Sequence, residues 1–295
     1  MTLSATTKNI RLENTPQAVI IVTGLLGILA AILIGISDAI LFGQPINGAD
    51  LFFGEAQEYE LMVGKSPAML MWGSLGGVLI PMLIIGYWHW YVGMVNVGRR
   101  WARLTMIALS IGLMGSMVFH FTVGMMGSIY QTQLLMPDDT SAELISSLIL
   151  TQYQFFIFPA LFVALAGLIP ASILFFIPTI RGKTLFPRWY AFTVPIIAWP
   201  LCLMLATFIP APLGGYIGTT FHWSTIVFFA ISTIVLIKHQ RDGDVVIEKR
   251  NQKNSQPREK SASPSQRDNF IQTSQNLSKT LQTSTLALPS HPQQG

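Results

Sequence analysis

Long apolar runs dominate the chain, and the short polar segments between them alternate in charge. A helix that crosses a bilayer needs roughly 20 mostly apolar residues. Six segments are read as such spans: about Ala18–Phe42, Ala68–Val97, Leu104–Gln131, Leu148–Ile180, Trp189–Ile209 and Phe221–Leu236. The fourth is long and carries Pro159, Pro170 and Pro178, so it is expected to kink or to run past the bilayer at one end. The pattern predicts an all-α fold, a polytopic transmembrane bundle of six spans over residues 18–238.

The loops orient this bundle through the excess of basic residues on the cytoplasmic side. The loop after span two has Arg99, Arg100 and Arg103, and the loop after span four has Arg181, Lys183 and Arg188, with no acid in either. The loops between them are acidic: Asp50, Glu55, Glu58 and Glu60 against Lys65 in one, Asp138, Asp139 and Glu143 in the other. Both termini are therefore expected in the cytoplasm, with residues 1–17 as an N-terminal segment. Lys8 and Arg11 precede the first span, which is longer than the roughly 7–15 apolar residues of a signal peptide and reads as a retained anchor. Aromatic residues near span ends, among them Trp88, Trp90, Tyr91, Trp189, Tyr190 and Trp223, fit interfacial belts.

Two further segments have their own character. In the first acidic loop Asp50 can cap a helix near 50–63, with Phe52, Ala56, Tyr59 and Val63 on one face. It reads as an amphipathic helix on the outer surface. From 239 to 295 the chain is rich in Gln, Ser, Asn and charge, which cannot bury enough surface to offset chain entropy. It reads as a disordered cytoplasmic tail.

Composition narrows the function classes. Of 295 residues, 51% are hydrophobic and 11% charged, well below the charged quarter usual in soluble domains. The six apolar runs hold one acid, Asp38, and no Lys or Arg. The net charge of +4 is accounted for by topology, so no nucleic-acid partner is expected. A single cysteine, Cys202, excludes an internal disulfide and a cysteine metal site.

Glycine marks the faces that pack. Gly24, Gly27, Ala31 and Gly35 share one face of span one, and Asp38 continues it. Gly112, Gly115, Ser116, Gly124, Gly127 and Ser128 line span three, with His120 among them, and span two opens with Gly73, Gly76 and Gly77 before Pro81. Ionisable groups inside a membrane turn inward and mark functional sites. By helical rise, Asp38, His120, Gln152 or Gln154, and His222 share the outer leaflet on four helices. They are the candidate lining of an outward-opening polar pocket. His89 falls near the inner end, in Tyr87-Trp88-His89-Trp90-Tyr91, a belt or a platform for a flat ligand.

Six spans, Ser128 on a Gly-rich helix and His222 on the last span share features with the rhomboid intramembrane proteases. The order here is Gly124-Met125-Met126-Gly127-Ser128 rather than that family's Gly-x-Ser-Gly. Seven-helix metal-dependent lipid hydrolases also pair His and Asp, with a fuller His set than this chain has. Over its first third, with Gly35-Ile36-Ser37-Asp38 and then Gly76-Gly77 and Pro81, the chain resembles uncharacterised bacterial six-helix inner-membrane proteins. That resemblance implies a bacterial inner-membrane location and no activity. The expected function is binding or transport of a small molecule or lipid. The alternatives are an intramembrane enzyme using Asp38 and His120, and a non-catalytic accessory subunit. Expected partners are the bilayer, the ligand, and further helices recruited through the small-residue faces, with no metal and no cofactor.

Overall fold

The computed structural model describes residues 15–53, 62, 64–135, 139–218 and 222–255, and among them every regular element is a helix. Contacts divide the chain into Met1–Gly243, which holds the bundle, and Asp244–Gly295. Helix α1 (Gln17–Phe42) shows the organising pattern. Val22, Leu25, Leu29, Leu33 and Ile36 are exposed along one face, while Gly24, Gly27, Ala31, Gly35 and Asp38 are buried on the other. Apolar side chains face out and small or polar ones face in, the arrangement suited to a hydrocarbon solvent.

The second crossing is α3 (Pro67–Leu79) and α4 (Met82–Gly93), after the short α2 (Gly48–Phe53). Ser66 caps α3 by accepting from the Met69 N–H. Pro81 has no N–H to give the preceding turn, so the helix breaks and restarts there. The third crossing is α5 (Arg99–Leu135). The fourth joins α6 (Asp139–Gln152), a π-helical turn (Tyr153–Ile157) and α7 (Phe158–Ile180). Pro159 lacks the donor for the regular ladder, and the Phe158 N–H reaches back to the Tyr153 carbonyl instead. The expected irregularity of this span is thus a π turn beside a proline.

The expected fifth span, Trp189–Ile209, is not one long helix. It is a 3-10 turn (Arg188–Thr193) followed by the 12-residue α8 (Pro195–Ala206). Val194 is extended because it precedes Pro195, and the missing Pro N–H ends any continuous ladder. Among the described residues, five helices are long and apolar enough to cross a membrane: Gln17–Phe42, Pro67–Gly93, Arg99–Thr132, Ala142–Ile180 and His222–Asp242. The broken segment still runs from one end of the bundle to the other. At its start the Leu185 N–H donates to the Gly93 carbonyl at 2.8 Å. At its finish the Gly48 N–H donates to Ile209 at 3.0 Å, and the Gly215 N–H to Ile46 at 2.9 Å. The short α9 (Gly214–Ile217) closes that end, and α10 (His222–Ser255) descends until Gln240 donates to the Thr15 carbonyl at 2.7 Å.

Two other expectations meet the structure at their edges. Helix α10 runs past 239 to Ser255, into the segment expected to be a disordered tail. Adding residues to an existing helix is cheap once it is nucleated, and charged residues such as Glu248, Lys249 and Arg250 are good helix formers. Residues 256–295, 1–14 and most of the expected loop helix near 50–63 lie outside the described residues; of that helix only Gly48–Phe53 and Met62 are described.

The core has two parts. Around Gly93 it is aromatic: Trp90 stacks on Phe175 at 4.2 Å, Phe186 on Tyr190 at 4.5 Å, and the Tyr190 hydroxyl donates to the Phe228 carbonyl at 3.0 Å. Trp90 and Tyr190 are fully buried, so they are core residues rather than the interfacial belt read from sequence, whereas Trp189 is exposed. Toward the other end Leu41, Leu70, Val123, Met126 and Ile157 form an aliphatic cluster.

Helices α5 and α7 pack backbone against backbone. A Cβ on Gly167 would sit 2.1 Å from the Gly112 nitrogen and 2.6 Å from the Ala108 carbonyl oxygen. Because the obstacles are backbone atoms, Gly167→Val is expected to lower stability by about 1–3 kcal/mol or more. Val163→Ala, on the exposed face of the same helix, is expected to change it little. Thermal unfolding in mild detergent, followed by tryptophan fluorescence, compares the two.

Candidate functional site

Asp38 lies about one turn before the end of α1 and is buried with His120 of α5 and His222, the first residue of α10. Its Oδ1 accepts a hydrogen bond from His120 Nε2 at 2.8 Å, and its Oδ2 lies 3.8 Å from His222 Nε2. The first distance is a full hydrogen bond. The second is too long for one and is an electrostatic contact. Two histidines separated widely in sequence are brought to one carboxylate.

Helix α3 sets this spacing. A Cβ on Gly76 would lie 2.1 Å from Ser37 Oγ and 3.3 Å from His120 Cε1, and one on Gly77 would lie 3.4 Å from His120 Cβ. Gly76 and Gly77 thus let α1 and α5 close on α3 from two sides. Ser37 adds a clamp by donating to the Gly73 carbonyl at 2.5 Å. The wide small-residue face of α5 divides in two. Gly112 and Gly115 meet Leu168 and Ala164 of α7, whereas Gly124 and Gly127 meet Ser74 and Leu70 of α3. These faces are occupied within the chain.

The hydrogen bond fixes one chemical feature. When Asp38 is ionised its Oδ1 can only accept, and His120 Nε2 then carries the shared proton. His120 Nδ1 is buried with no hydrogen-bond partner among the described residues. It is a lone-pair acceptor if the ring is neutral and a donor if the ring is charged. An Asp–His pair of this kind can hold, give up or relay one proton. Among the described residues no group of three His, Cys, Asp or Glu is placed to hold a metal ion.

The other candidates fall elsewhere. Gln154 is exposed in the π turn and Gln152 is half-buried at the end of α6. No hydrogen bond joins either to Asp38 or His120. Helical rise gives a residue's depth but says nothing of the direction in which a helix faces. Ser128 is exposed. His89 is fully buried and belongs to a second polar node, where Nδ1 pairs with Ser232 Oγ at 2.8 Å and Nε2 lies 3.0 Å from Thr23 Oγ1 and 3.1 Å from the Ile20 carbonyl. It ties α1, α4 and α10 together and is neither a belt residue nor a platform.

Sequence reasoning passed over Lys65. It is buried at the start of α3, and its Nζ donates to the Gly43 carbonyl just past the end of α1. The Gln131 side chain donates to the Lys65 carbonyl. Burial holds its ammonium below the usual lysine range. The only signal was a lone base in an acidic loop, directly before the Ser66-Pro67 helix start.

Five long apolar helices packed through small residues around buried polar groups are those of an integral membrane protein. The family is equally plain: residues 14–239 match the model of DUF6796, a family of unknown function, and the chain belongs to it. The match takes in the whole bundle. Among curated proteins and solved structures the chain has no match.

Removing the carboxylate leaves the buried His120 Nε2 without its hydrogen-bond partner. Asp38→Ala is expected to lower stability by about 1–3 kcal/mol, the cost of an orphaned buried polar group. Asp38→Asn keeps an acceptor oxygen for His120 Nε2 and is expected to lose less than half as much. The same thermal assay reads the order of the two variants.

Proposed function

We propose that this protein binds or transports a small molecule or lipid at an outward-opening polar site formed by Asp38, His120 and His222. The observation that carries the reading is one carboxylate contacted by two imidazoles from two other helices, inside an apolar bundle. Keeping such a group among hydrocarbon is costly, and a merely structural hydrogen bond does not need three ionisable residues. The buried, unpartnered Nδ1 of His120 offers a polar contact to an incoming group. The site sits beside the end where residues 43–48 and 209–215 are joined by backbone hydrogen bonds.

The topology belongs to the same proposal. The chain makes six crossings, five by long helices and one by the broken 185–209 segment, in a bacterial inner membrane. The basic loops and both termini face the cytoplasm, and Asp38 lies toward the outside. Two features support this orientation: the acid-free basic loops meet at one end, and the two polar contacts of Gly48 and Gly215 tie the loops of the other.

Two measurements test the proposal. Single cysteines placed at Gly98 and at Leu213, on a Cys202→Ser background, are exposed to an impermeant thiol reagent in whole cells. Labelling is expected at 213 and not at 98, and the reverse inverts the topology and removes the outward site. Native mass spectrometry of the purified full chain is expected to show a retained small molecule or lipid that Asp38→Asn loses. Flux of that molecule into proteoliposomes is expected to fall at least about tenfold in the variant, the equivalent of one lost charged contact. Wild type and variant alike without bound species would leave an accessory role.

The 2.8 Å Asp38–His120 bond also favours a second reading, a positioned general base in an intramembrane enzyme. In that case the retained molecule is turned over, and His120→Ala moves the pH profile of turnover.

A further inference from the structure

The opposite end of the bundle carries a second concentration of charge, independent of the Asp38 site. Arg99, Arg100 and Arg103 open α5, and Arg181, Lys183 and Arg188 follow α7. All six are exposed. The fold brings these two stretches together. The Leu185 N–H bonds to the Gly93 carbonyl at 2.8 Å, and the Phe186 ring covers Gly93 so closely that a Cβ there would lie 2.0 Å from it. Near the helix ends the Trp101 indole donates to the Leu174 carbonyl at 2.8 Å, which fixes the start of α5 against the last turns of α7.

The loop between them is built rather than slack. Gly182 has φ of 66°, and its N–H bonds to the Thr179 carbonyl while that of Lys183 reaches Pro178. That is the reversed helix end for which glycine is favoured. Arg188 folds back over it, with Nε 3.2 Å from the place a Gly182 Cβ would occupy.

Nothing neutralises this charge from the neighbouring sequence. There is no Asp or Glu from 66 to 137, nor from 144 to 241. Among the described residues none of the six cations forms an ion pair. Trp101 and Trp189 are exposed beside them, an amphipathic pair suited to the headgroup layer.

We propose that this end of the bundle is a binding surface for anionic phospholipid headgroups, held by the two arginine-bearing stretches acting together. The chemistry fits a phosphodiester: guanidinium groups match its oxygens in pairs, and exposed indoles beside them lie at glycerol depth. A lipid is favoured over a free anion because the patch adjoins exposed apolar side chains, Leu104 and Ile177, where acyl chains run. Basic clusters next to helix ends attract anionic bilayers in this way.

The test uses the full chain in neutral detergent. Micelles doped with a short-chain phosphatidylglycerol are expected to raise the thermal midpoint, whereas equal phosphatidylcholine, or sodium phosphate at the same concentration, is not. In the fourfold variant Arg99→Gln, Arg100→Gln, Arg181→Gln, Lys183→Gln, the phosphatidylglycerol concentration for half the rise is expected to increase about tenfold or more. Its midpoint in phosphatidylcholine should stay near wild type, since the four side chains are exposed. If that variant does not fold, raising the ionic strength on the unmodified protein replaces it, and the phosphatidylglycerol effect is expected to collapse. Equal effects of the two lipids, an effect reproduced by phosphate, or an effect insensitive to the substitutions or to salt would each overturn the proposal.

Discussion

A carboxylate held among apolar helices is the constraint around which the rest of this bundle is arranged. Asp38 cannot face hydrocarbon without large cost, so α1 must turn its polar and glycine face inward. To reach a partner, the helices beside it must come closer than ordinary side chains allow. Gly73, Gly76 and Gly77 on α3 meet that need, because the space a Cβ would take is already filled by Leu41, Ser37 and Met117 or Phe121. His120 then lies close enough to donate to Asp38, and His222 starts the last helix at the same level. The glycines and the ionisable groups are one device rather than two features.

A similar logic holds at the other end with different chemistry. Gly24, Gly27 and Gly86 let α1, α4 and α10 approach until His89 reaches Ser232 and Thr23. Around that node aromatic rings fill what the glycines leave open: Phe229 lies against both Gly27 and Gly86, and Tyr87 packs on it edge to face. A bundle without a hydrophobic driving force between its helices depends on such close contact and on internal hydrogen bonds.

Much of this was legible in the sequence, for reasons that can be named. A missing charge over 20 residues has few explanations other than a bilayer, and glycines three or four apart on a helix show which face packs. Asp38, His120 and His222 could therefore be grouped by depth and face before any coordinates. Gln154 shows the limit: it shares the depth but not the face, because no glycine stripe orients the π turn that carries it. The break in the expected fifth span was missed because hydropathy ignores Pro195, whose effect is on backbone geometry and not on polarity. Trp90 and Tyr190 were misread for a related reason. An aromatic residue near a span end looks the same in sequence whether it meets headgroups or a partner ring.

The two polar nodes also constrain what the Asp38 site can be. His89 meets α1 at Thr23, 15 residues before Asp38, and that stretch of helix is about 22 Å long. Between Thr23 and Ser37 the inward face carries Gly24, Gly27, Ala30, Ala31, Ile34 and Gly35, with no group able to pass a proton or to bind one. A continuous relay from end to end would need polar side chains in this interval, and α1 supplies none. Along α1, Asp38 and its histidines therefore have no polar side-chain link to the His89 node. Movement of a ligand across would require the helices around Gly76 and Gly77 to part, which the tight glycine contacts oppose. Of the two halves of the proposed function, binding asks only for access to Asp38 from its own end of the bundle, and transport asks in addition that α3 separate from α1 or α5.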